Sequence, residues 1–414
     1  MPTLAVLFAH GAVTPAEALL GLDFCGDPVF LVGPDCADRV VRAFQAAGRV
    51  RPLDLPSIEA VRPDGILTFS DRLLPLAAAA AGALGLPFHS GQTVRRLTDK
   101  YAQRECLLRV GVDPVRCVPL GRPDRWAAAV VTVGLPAVVK PAHGEASRNT
   151  YLVSDAAEGG RLVARLLNGV ENQLVVEEYL AGTDYVSVES LCDGETIHHI
   201  GVTGKLPMEP PFRETGQFYP STVDETGVLD LVGRALRALG VRHGITHAEV
   251  KLTPSGPRLI EVNGRIGGYL AELYRRALGT DLVTLAGRLA LGERVTPPAR
   301  PRPGVHFQYY TQPPVDASAL LDGPGPGDLA DCPGVLGYTR FVAPGAALPG
   351  DRRSFDLDLI TGHGATHEEM LSILDVCLPR LAYTFQTPAG PRTVRGSRSL
   401  GPEEARMPTG GRPG

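Results

Sequence analysis

Two glutamates lie in a stretch, residues 245–263, whose pattern predicts a β-hairpin. Apolar and polar residues alternate on either side of a Pro-Ser-Gly-Pro turn, which is the period of a strand. A hairpin folded symmetrically about this turn places Glu249 opposite Glu261 and His247 opposite Asn263, with all four side chains on one face. The apolar residues then share the other face: Val250, Leu252, Ile260 and Val262.

Opposed carboxylates in a sheet repel each other unless a cation lies between them. A divalent ion such as Mg²⁺ (or Mn²⁺) bridges them and keeps coordination sites for phosphate oxygens. These residue types therefore predict a metal site formed by Glu249, Glu261 and the amide oxygen of Asn263. The alternative is a solvated polar face on which Lys251 and Arg258 act as counterions.

The residues after the hairpin favour the metal site. Arg265 adds a guanidinium, and the pair Gly267-Gly268 lets backbone N–H groups approach a ligand closely. Carboxylates, a cation and glycines together predict a site for a metal-bound phosphate. The same Arg265 and the two glycine N–H groups are also candidates to stabilise an oxyanion.

Lysine is rare in this chain. Of 41 basic residues only four are lysines, and all four lie between residues 100 and 251. Because lysine presents a compact point charge, we expect some of them to contact phosphate. Lys100 and Arg104 lie one turn apart in a predicted helix, which is also usual on a solvent-exposed helix.

A small-residue loop follows the apolar strand that ends at Lys140. Residues 141–150 include Gly144 and Ser147, whose backbone and hydroxyl groups can close over phosphates. With one glycine, this loop alone is a weak signal.

Composition bounds the class of protein. A net charge of −4 and a pI near 6.2 argue against nucleic-acid or anionic-membrane partners. The seven cysteines form no CxxC pair, which favours reduced thiols in a cytoplasmic protein without a zinc site. The apolar opening, residues 4–9, is too short to target or span a membrane.

The order of predicted elements favours a multi-domain α/β (α+β) protein. Alternating strands and helices predict a parallel α/β domain at the N-terminus, and a Pro-rich segment near residue 300 predicts a linker. The long loop 204–221 has the composition of a binding lid. The predicted units are residues 1–90, 91–173, 174–295, 296–388 (a C-terminal αβ domain) and a disordered tail, 389–414.

With these residues in view, the chain resembles the ATP-grasp enzymes, and most of all their carboxylate–amine ligases, which include the L-amino acid (dipeptide-forming) ligases. The resemblance covers about residues 1–388 and is most specific in four segments: TDKYAQR, LPAVVKPAHGEASRNT, VVEEYLAGTDYVSVE and HAEVKLTPSGPRLIEVNGRIGG. It implies an ATP-grasp fold: an N-terminal parallel α/β domain, a two-subdomain ATP-grasp unit at 91–173 and 174–295, and the C-terminal domain.

The resemblance also implies roles for individual residues, with ATP and Mg²⁺ as cofactors. Phosphates would be held by Lys100 and Lys140, and by Gly144 and Ser147 of the loop; adenine would be contacted by Glu177, Glu178 and Leu180; the ribose would be bound at Asp184. Arg265, Lys140 and Gly268 would be catalytic. The substrate would meet Glu214, Gln217, Arg265, Gly267, Gly268 and Tyr269, with Glu214 near an amino group and Tyr269 limiting the size of the pocket.

The expected activity is ATP-dependent joining of a carboxylate, an amino acid in particular, to an amine through an acyl phosphate. The products would be an amide or dipeptide, ADP and phosphate, and the partners would be small molecules, with a homodimer as a further expectation. Two alternatives remain open: another ATP-grasp ligase or carboxylase, such as a purine-pathway enzyme, or an ATP-binding regulator without catalysis.

Overall fold

The computed structural model describes residues 2–398 except 10, 26–27, 35, 48, 170, 183, 195, 210–211, 297–300 and 350–354. The α-helices are α1 (Pro15–Gly21), α2 (Asp38–Ala47), α3 (Leu55–Val61), α4 (Leu74–Leu84), α5 (Gly91–Thr98), α6 (Lys100–Arg109), α7 (Trp126–Val133), α8 (Ala156–Gly169), α9 (Glu225–Leu239), α10 (Leu270–Leu278), α11 (Leu282–Ala290) and α12 (His367–Cys377).

The strands alternate with these helices in the first half of the chain and dominate the second half. They are β1 (Leu4–Phe8), β2 (Val29–Val32), β3 (Arg49–Pro52), β4 (Gly65–Thr68), β5 (Cys117–Leu120), β6 (Ala137–Pro141), β7 (Tyr151–Val153), β8 (Leu174–Glu178), β9 (Tyr185–Asp193), β10 (Ile197–Lys205), β11 (Gly216–Tyr219), β12 (His243–Thr253), β13 (Gly256–Asn263), β14 (Val305–Thr311), β15 (Ala319–Asp322), β16 (Val335–Arg340), β17 (Asp358–Gly364), β18 (Ala382–Thr387) and β19 (Gly390–Arg395).

The N-terminal sheet is parallel, with the strand order β3-β2-β1-β4. Strands β1, β2 and β4 are buried along their whole length, which matches their continuous apolar sequence. Such runs are typical of a parallel sheet covered on both faces. The predicted parallel α/β domain is thus present.

A second sheet, with the order β5-β8-β6-β7, is antiparallel. Its strand β8 pairs with β5 on one side and β6 on the other, so residues 174–178 belong to this sheet. The predicted limit between the first and second units lies before this strand, at residue 173. The change of sheet instead falls between β8 and β9, since β9 pairs with β10 and β12.

The largest sheet has eight strands in the order β13-β12-β9-β10-β11-β14-β17-β16. Strand β14, beyond the Pro-rich segment, pairs with β11, so this sheet continues across the predicted limit at residue 295. Strand β11 lies inside the stretch predicted to be a lid loop. Gln217 is therefore a strand residue rather than a loop residue.

A small antiparallel sheet, β15-β18-β19, completes the C-terminal part. Residues 390–395 form β19, which pairs along its length with β18. The prediction of a tail from residue 389 is therefore wrong over this strand, because backbone pairing stabilises an edge strand whose side chains are mostly polar. Residues 399–414 lie outside the described residues.

One hydrophobic core contains side chains from more than one of the predicted units. One cluster of buried side chains contains Phe8 and Leu22 of the N-terminal domain together with Tyr274 and Leu282 of the helices that follow the hairpin. Among the described residues, no helix is long and apolar enough to cross a membrane.

Candidate active site

One face of the eight-stranded sheet carries a row of polar side chains that crosses several strands. The registers place Glu249 of β12 between Glu261 on β13 and Ser187 on β9, and Ser187 beside Thr203 on β10. Lys205, two residues further along β10, emerges on the same face as Thr203, because side chains alternate. The hairpin carboxylates and Lys205 therefore belong to one surface.

The hairpin has the predicted register at its carboxylates, although it is not symmetric about its turn. Thr253 pairs with Gly256 across a two-residue turn, and this spacing alone would place Glu249 opposite Ile260. A β-bulge on β13 adds one residue and brings Glu249 opposite Glu261. The prediction of opposed glutamates is confirmed, and the bulge is the reason.

The bulge also changes which residue of β13 faces the core. Leu259 is fully buried in a cluster with Val250 and Val262, whereas Ile260 is only partly buried. The prediction that Ile260 shares the apolar face is therefore wrong. Its carbonyl instead accepts a hydrogen bond of 2.8 Å from Arg104 Nη2.

Glu261 lies among cations. Its Oε1 accepts a 3.1 Å hydrogen bond from Asn263 Nδ2, and its Oε2 lies 3.3 Å from Lys100 Nζ. Burial opposes ionisation of Glu261, but the charges of Lys100 and Lys140 outweigh it and lower its pKa to about 2. Lys100 also donates a 2.7 Å hydrogen bond to the carbonyl of Gly144, so it joins the hairpin to the predicted phosphate loop.

The donor set fits a magnesium ion shared with phosphate. In the chain segments that the structure describes, no three His, Cys, Asp or Glu side chains form a group able to hold a metal by themselves. Glu249, Glu261 and Asn263 supply two carboxylates and one amide, and Mg²⁺ in nucleotide sites characteristically takes one or two carboxylates and completes its shell with phosphate and water. The facing carboxylates also repel each other, since Glu261 acts to raise the pKa of Glu249.

His247 lies between the carboxylates of Glu189 and Glu249 and contacts both. Its Nδ1 lies 2.5 Å from Glu189 Oε1 and its Nε2 lies 3.3 Å from Glu249 Oε1. Burial would lower the pKa of His247, but the two carboxylates raise it to about 9. The imidazolium therefore donates hydrogen bonds to both glutamates at neutral pH.

The two glycines after the hairpin differ in their surroundings. A Cβ on Gly267 would lie 2.5 Å from His247 Nδ1, and the Gly267 N–H donates to Glu189 Oε2 at 3.4 Å. A Cβ on Gly268 would meet nothing within 4 Å, and no described residue accepts its N–H. Gly267 thus packs against the histidine, while Gly268 is the one whose N–H is available to a ligand.

The N-terminal domain orients Arg265. Asp71, just after β4, accepts a 2.6 Å hydrogen bond from Arg265 Nε, and Nη1 donates to the carbonyl of Ile266 at 2.9 Å. Burial would lower the pKa of Arg265, but Asp71 and other carboxylates raise it. The guanidinium is therefore fixed and charged.

Glu177 has a role that the sequence analysis missed. The residue is 4% exposed, and its carboxylate lies 3.0 Å from Arg104 Nε and 2.8 Å from Lys140 Nζ. Burial would raise the pKa of Glu177, but the two cations lower it to about 2. Arg104 also contacts Asp113 at 3.3 Å, so this buried network positions Lys140.

The predicted adenine and ribose residues lie at the end of β8 and just before β9, where the chain passes from the four-stranded antiparallel sheet to the eight-stranded sheet. Glu178 pairs with Arg116 at 2.6 Å. Leu180 N–H makes no hydrogen bond to another described residue, and Asp184 is exposed. The Glu177 carboxylate is already paired with two cations. Contact between Glu177 and adenine therefore stays a prediction, and these ion pairs do not favour a contact made by the carboxylate.

The predicted phosphate loop has an unusual backbone. Three of its non-glycine residues, Ala146, Ser147 and Asn149, have φ values of 56°, 50° and 53°. Such conformations cost energy and require support from surrounding structure. Here Asn149 Nδ2 donates a 2.8 Å hydrogen bond to Glu171, which anchors the end of the loop.

Of the predicted substrate residues, Glu214, Gln217 and Gly268 lie together at the other end of the polar face, whereas Arg265 lies near Glu261. The Lys205 side chain is 2% exposed, and its Nζ lies 3.1 Å from Glu214 Oε1 and 3.0 Å from Gln217 Oε1. Gln217 Nε2 donates to the carbonyl of Gly268 at 3.0 Å. Three of the four lysines thus lie in the site region.

Tyr269 links this region to the C-terminal part of the chain. Its φ is +59°, its hydroxyl donates a 2.8 Å hydrogen bond to Asp356, and its ring lies 5.0 Å from that of Tyr310. A third ring, Phe341, stacks on Tyr269 at 5.6 Å. Asp356 was not identified from the sequence.

The residues that sequence reasoning missed support others from distant parts of the chain: Asp71, Arg104, Glu177 as an ion-pair partner, Glu189 and Asp356. Arg104 had a usable signal, since it lies one helical turn from Lys100. Glu189 lies within a strand in which polar and apolar residues alternate, but its partner is 58 residues away. No local pattern marks such pairs.

The fold is that of the ATP-grasp proteins. Residues 133–272 match the family model of the ATP-grasp domain. The crystal structure of an L-amino acid ligase from Bacillus licheniformis has a TM-score of 0.75 to this chain at 21% identity, covering 92% of this chain and 98% of that one. At this identity the likeness establishes the fold, and the predicted ATP-grasp fold is confirmed.

Two curated relatives with named activities are similar to part of this chain. Carnosine synthase 1 of Gallus gallus is 32% identical over 281 residues, which are 61% of this chain and 30% of that protein. Alanine--anticapsin ligase of Bacillus subtilis (strain 168) is 27% identical over 250 residues, 54% of this chain and 52% of that protein. The matched regions thus span about a third to a half of the relatives' own lengths.

Proposed function

We propose that this protein is an ATP-dependent carboxylate–amine ligase that activates an amino acid as an acyl phosphate and joins it to an amine. The observation that carries the proposal is the gathering of Glu249, Glu261 and Asn263 with Lys100 and Arg265 at one end of the polar face. The named activities of the relatives, a synthase and a ligase, support the same chemistry.

The first step in this proposal is phosphoryl transfer. A carboxylate is a poor acceptor for an amine because its leaving group would be oxide, so it must first become an acyl phosphate. The negative charge of the transferring group is met by Lys100, Lys140 and Arg265, since fixed cations stabilise such charge where it develops. Bound Mg²⁺, held by Glu249, Glu261 and Asn263, would supply further neutralisation of the phosphate oxygens.

The second step is attack of the amine on the acyl carbon. We propose that Arg265 and the N–H of Gly268 stabilise the resulting oxyanion. Gly267 is left out of this role because its N–H already donates to Glu189. Collapse of the tetrahedral species releases phosphate and leaves the amide.

The acid is proposed to be an amino acid because of Glu214. Its carboxylate is 31% exposed and is held by Lys205, so it can accept hydrogen bonds from a substrate ammonium. Replacement of Glu214 by Gln is expected to reduce selection of an amino acid over its deaminated analogue.

The test is phosphate release from Mg-ATP across a matrix of single and paired L-amino acids, with mass spectrometry of the products. We expect release that requires a pair and a matching amide mass. Glu261→Gln should lower the rate by about 100-fold or more, because it removes a metal carboxylate. Glu59→Gln, an exposed change on α3, is the matched control and should leave the rate unchanged.

Two results would decide against the ligase. ATP binding without release for any pair would favour an ATP-binding regulator. Release that requires bicarbonate instead of an amine would favour the carboxylase alternative. Either result would leave the fold assignment intact.

A further inference from the structure

The C-terminal part of the chain contributes a group of side chains to the substrate end of the site. Asp356 Oδ2 accepts the hydrogen bond from Tyr269, and Gln312 Nε2 donates both to Asp356 Oδ1 and to the carbonyl of Glu214, the latter at 3.4 Å. Sharing one amide brings Asp356 and Glu214 close together. Both side chains are partly buried.

The charges in this group do not balance. Lys205 pairs with Glu214, and among the described residues no lysine or arginine lies within ion-pair distance of Asp356. Asp358, behind it, is buried and takes hydrogen bonds from Tyr338 and Tyr383. Among the described side chains, Asp356 is therefore an acidic group without a basic partner.

Aromatic rings pack beside this group. Tyr269 lies against Tyr310 and Phe341, and the Tyr310 hydroxyl interacts electrostatically with both Glu214 and Asp356. Ring faces beside carboxylates are the usual surroundings of a bound organic cation.

A second observation, on a neighbouring strand, points to a ligand beside Glu214. Tyr185 on β9 is 2% exposed, and its hydroxyl has no hydrogen-bond partner among the described residues. It lies on the polar face beside Glu214, and burial together with the charges of Glu214 and Glu249 raises its pKa. Buried hydroxyls without partners are rare and costly, so a bound polar group is expected here.

We propose that Asp356 forms a cation subsite with Glu214, Tyr269, Tyr310 and Phe341, and that the activated acid is an amino acid with a cationic side chain. This rests on the proposed ligase function. Glu214 takes the α-ammonium, while Asp356 takes the distal cation against the rings. Asp356 is then the residue that sets the substrate class.

Direct binding tests the subsite without turnover. Calorimetry is run on the full-length protein with Mg²⁺ and a non-hydrolysable ATP analogue, using two matched pairs: L-lysine against L-norleucine, and L-arginine against L-citrulline. Each pair differs chiefly in charge. We expect the cationic member to bind at least 10-fold more tightly in at least one pair.

The key variant is Asp356→Asn, which keeps an acceptor for the Tyr269 hydroxyl and removes the charge. It should lose at least 10-fold in affinity for the cationic acid and change that for the neutral acid by less than 2-fold. Asp331→Asn, an exposed change in the same part of the chain, is the control and should alter neither. A folding defect in Asp356→Asn would lower both affinities alike.

The outcomes separate this proposal from the ligase proposal. Equal or tighter binding of the neutral acids, no binding of any of the four, or equal losses for both members in an Asp356→Asn variant that unfolds at the wild-type temperature would overturn the cation subsite, whatever the turnover. Selective binding that Asp356→Asn abolishes would establish the subsite. If no phosphate release accompanied it, only the ligase would be refuted.

Discussion

At the scale of single residues, the two glycines after the hairpin have separate tasks. Gly267 must lack a side chain because the His247 ring lies where its Cβ would be, whereas nothing described occupies that space at Gly268. The sequence shows only two adjacent glycines. The difference between them depends on a histidine 20 residues earlier, so it could not be predicted from the pattern.

This difference gives a matched pair of variants. Gly267→Ala should lower the free energy of unfolding by about 1–3 kcal/mol, because the added methyl overlaps the imidazole. Gly268→Ala should leave stability nearly unchanged but lower the ligation rate by about 10-fold, because the methyl hinders approach of the acyl group to the backbone N–H. Thermal unfolding and steady-state rates check the two effects. Equal loss of stability in both variants would contradict the assignment.

The ionisation of Asp356 predicts how pH controls selection of the acid. Burial, together with the neighbouring Glu214 and Asp358, outweighs the hydrogen bonds from Tyr269 and Gln312 and raises the pKa of Asp356 to about 7. The carboxyl is therefore mostly neutral below pH 7 and charged above it. Lysine keeps its side-chain charge throughout this range.

Lysine affinity should therefore increase as the pH rises from 6 to 8, while norleucine affinity should change much less. Calorimetry at several pH values measures both. In Asp356→Asn the increase for lysine should disappear. The groups that face Asp356 are Glu214, Tyr269, Tyr310 and Asp358, and an increase that persists in this variant would mean that a group other than Asp356 is responsible.

At the scale of elements, the hairpin has the register that the alternating pattern predicted, although its shorter turn and its bulge were not predicted. Alternation and the turn predicted opposed glutamates, and the structure has them. The true turn is one position shorter, and the bulge at Ile260 compensates. Since a bulge depends on tertiary packing, here of Leu259 in the core, the sequence predicted the register of the site but not the face of Ile260.

The buried network around Glu177 is an element-scale prediction, because it joins β8, β6 and α6. Glu177→Gln would leave Arg104 and Lys140 without a counter-charge and should cost about 3–5 kcal/mol of stability. Chemical denaturation measures this, with Glu59→Gln as the exposed control. A loss below about 1 kcal/mol would show that the ion pairs contribute little.

The ion pairs of Glu177 also predict how acid changes the stability of the protein. The folded pKa of Glu177 is about 2, below its ordinary value of 4.5. A depressed carboxyl pKa stabilises the fold above the unfolded pKa, and this stabilisation is lost as the pH falls from 4.5 toward 2. The wild-type protein should therefore lose more stability than Glu177→Gln over that interval.

At the scale of the whole molecule, the N-terminal domain is part of the site. It supplies Asp71 to Arg265, and its strand β4 packs closely on α11, since a Cβ on Gly65 would lie 2.4 Å from the carbonyl oxygen of Ala290. The sequence predicted this domain as a unit from its alternating elements. It could not predict the joint core, because contacts such as that of Gly65 with Ala290 join residues far apart in the chain.

Gly65→Ala should therefore lower the melting temperature of the whole protein, because the added methyl would force β4 away from α11. Gly82→Ala in α4 is the control: its Cβ would meet nothing within 4 Å, and alanine is the better helix former there. We expect a drop for Gly65→Ala and no drop for Gly82→Ala. A second transition confined to the N-terminal domain would contradict the joint core.

The central claim is that ATP activates a carboxylate by phosphoryl transfer. The most direct test labels both carboxylate oxygens of the best acid with ¹⁸O and analyses the released phosphate by mass spectrometry. The proposed mechanism predicts ADP and phosphate that carries one ¹⁸O atom, because the acyl–oxygen bond breaks when the amine attacks. Unlabelled phosphate, or label found in AMP, would contradict it.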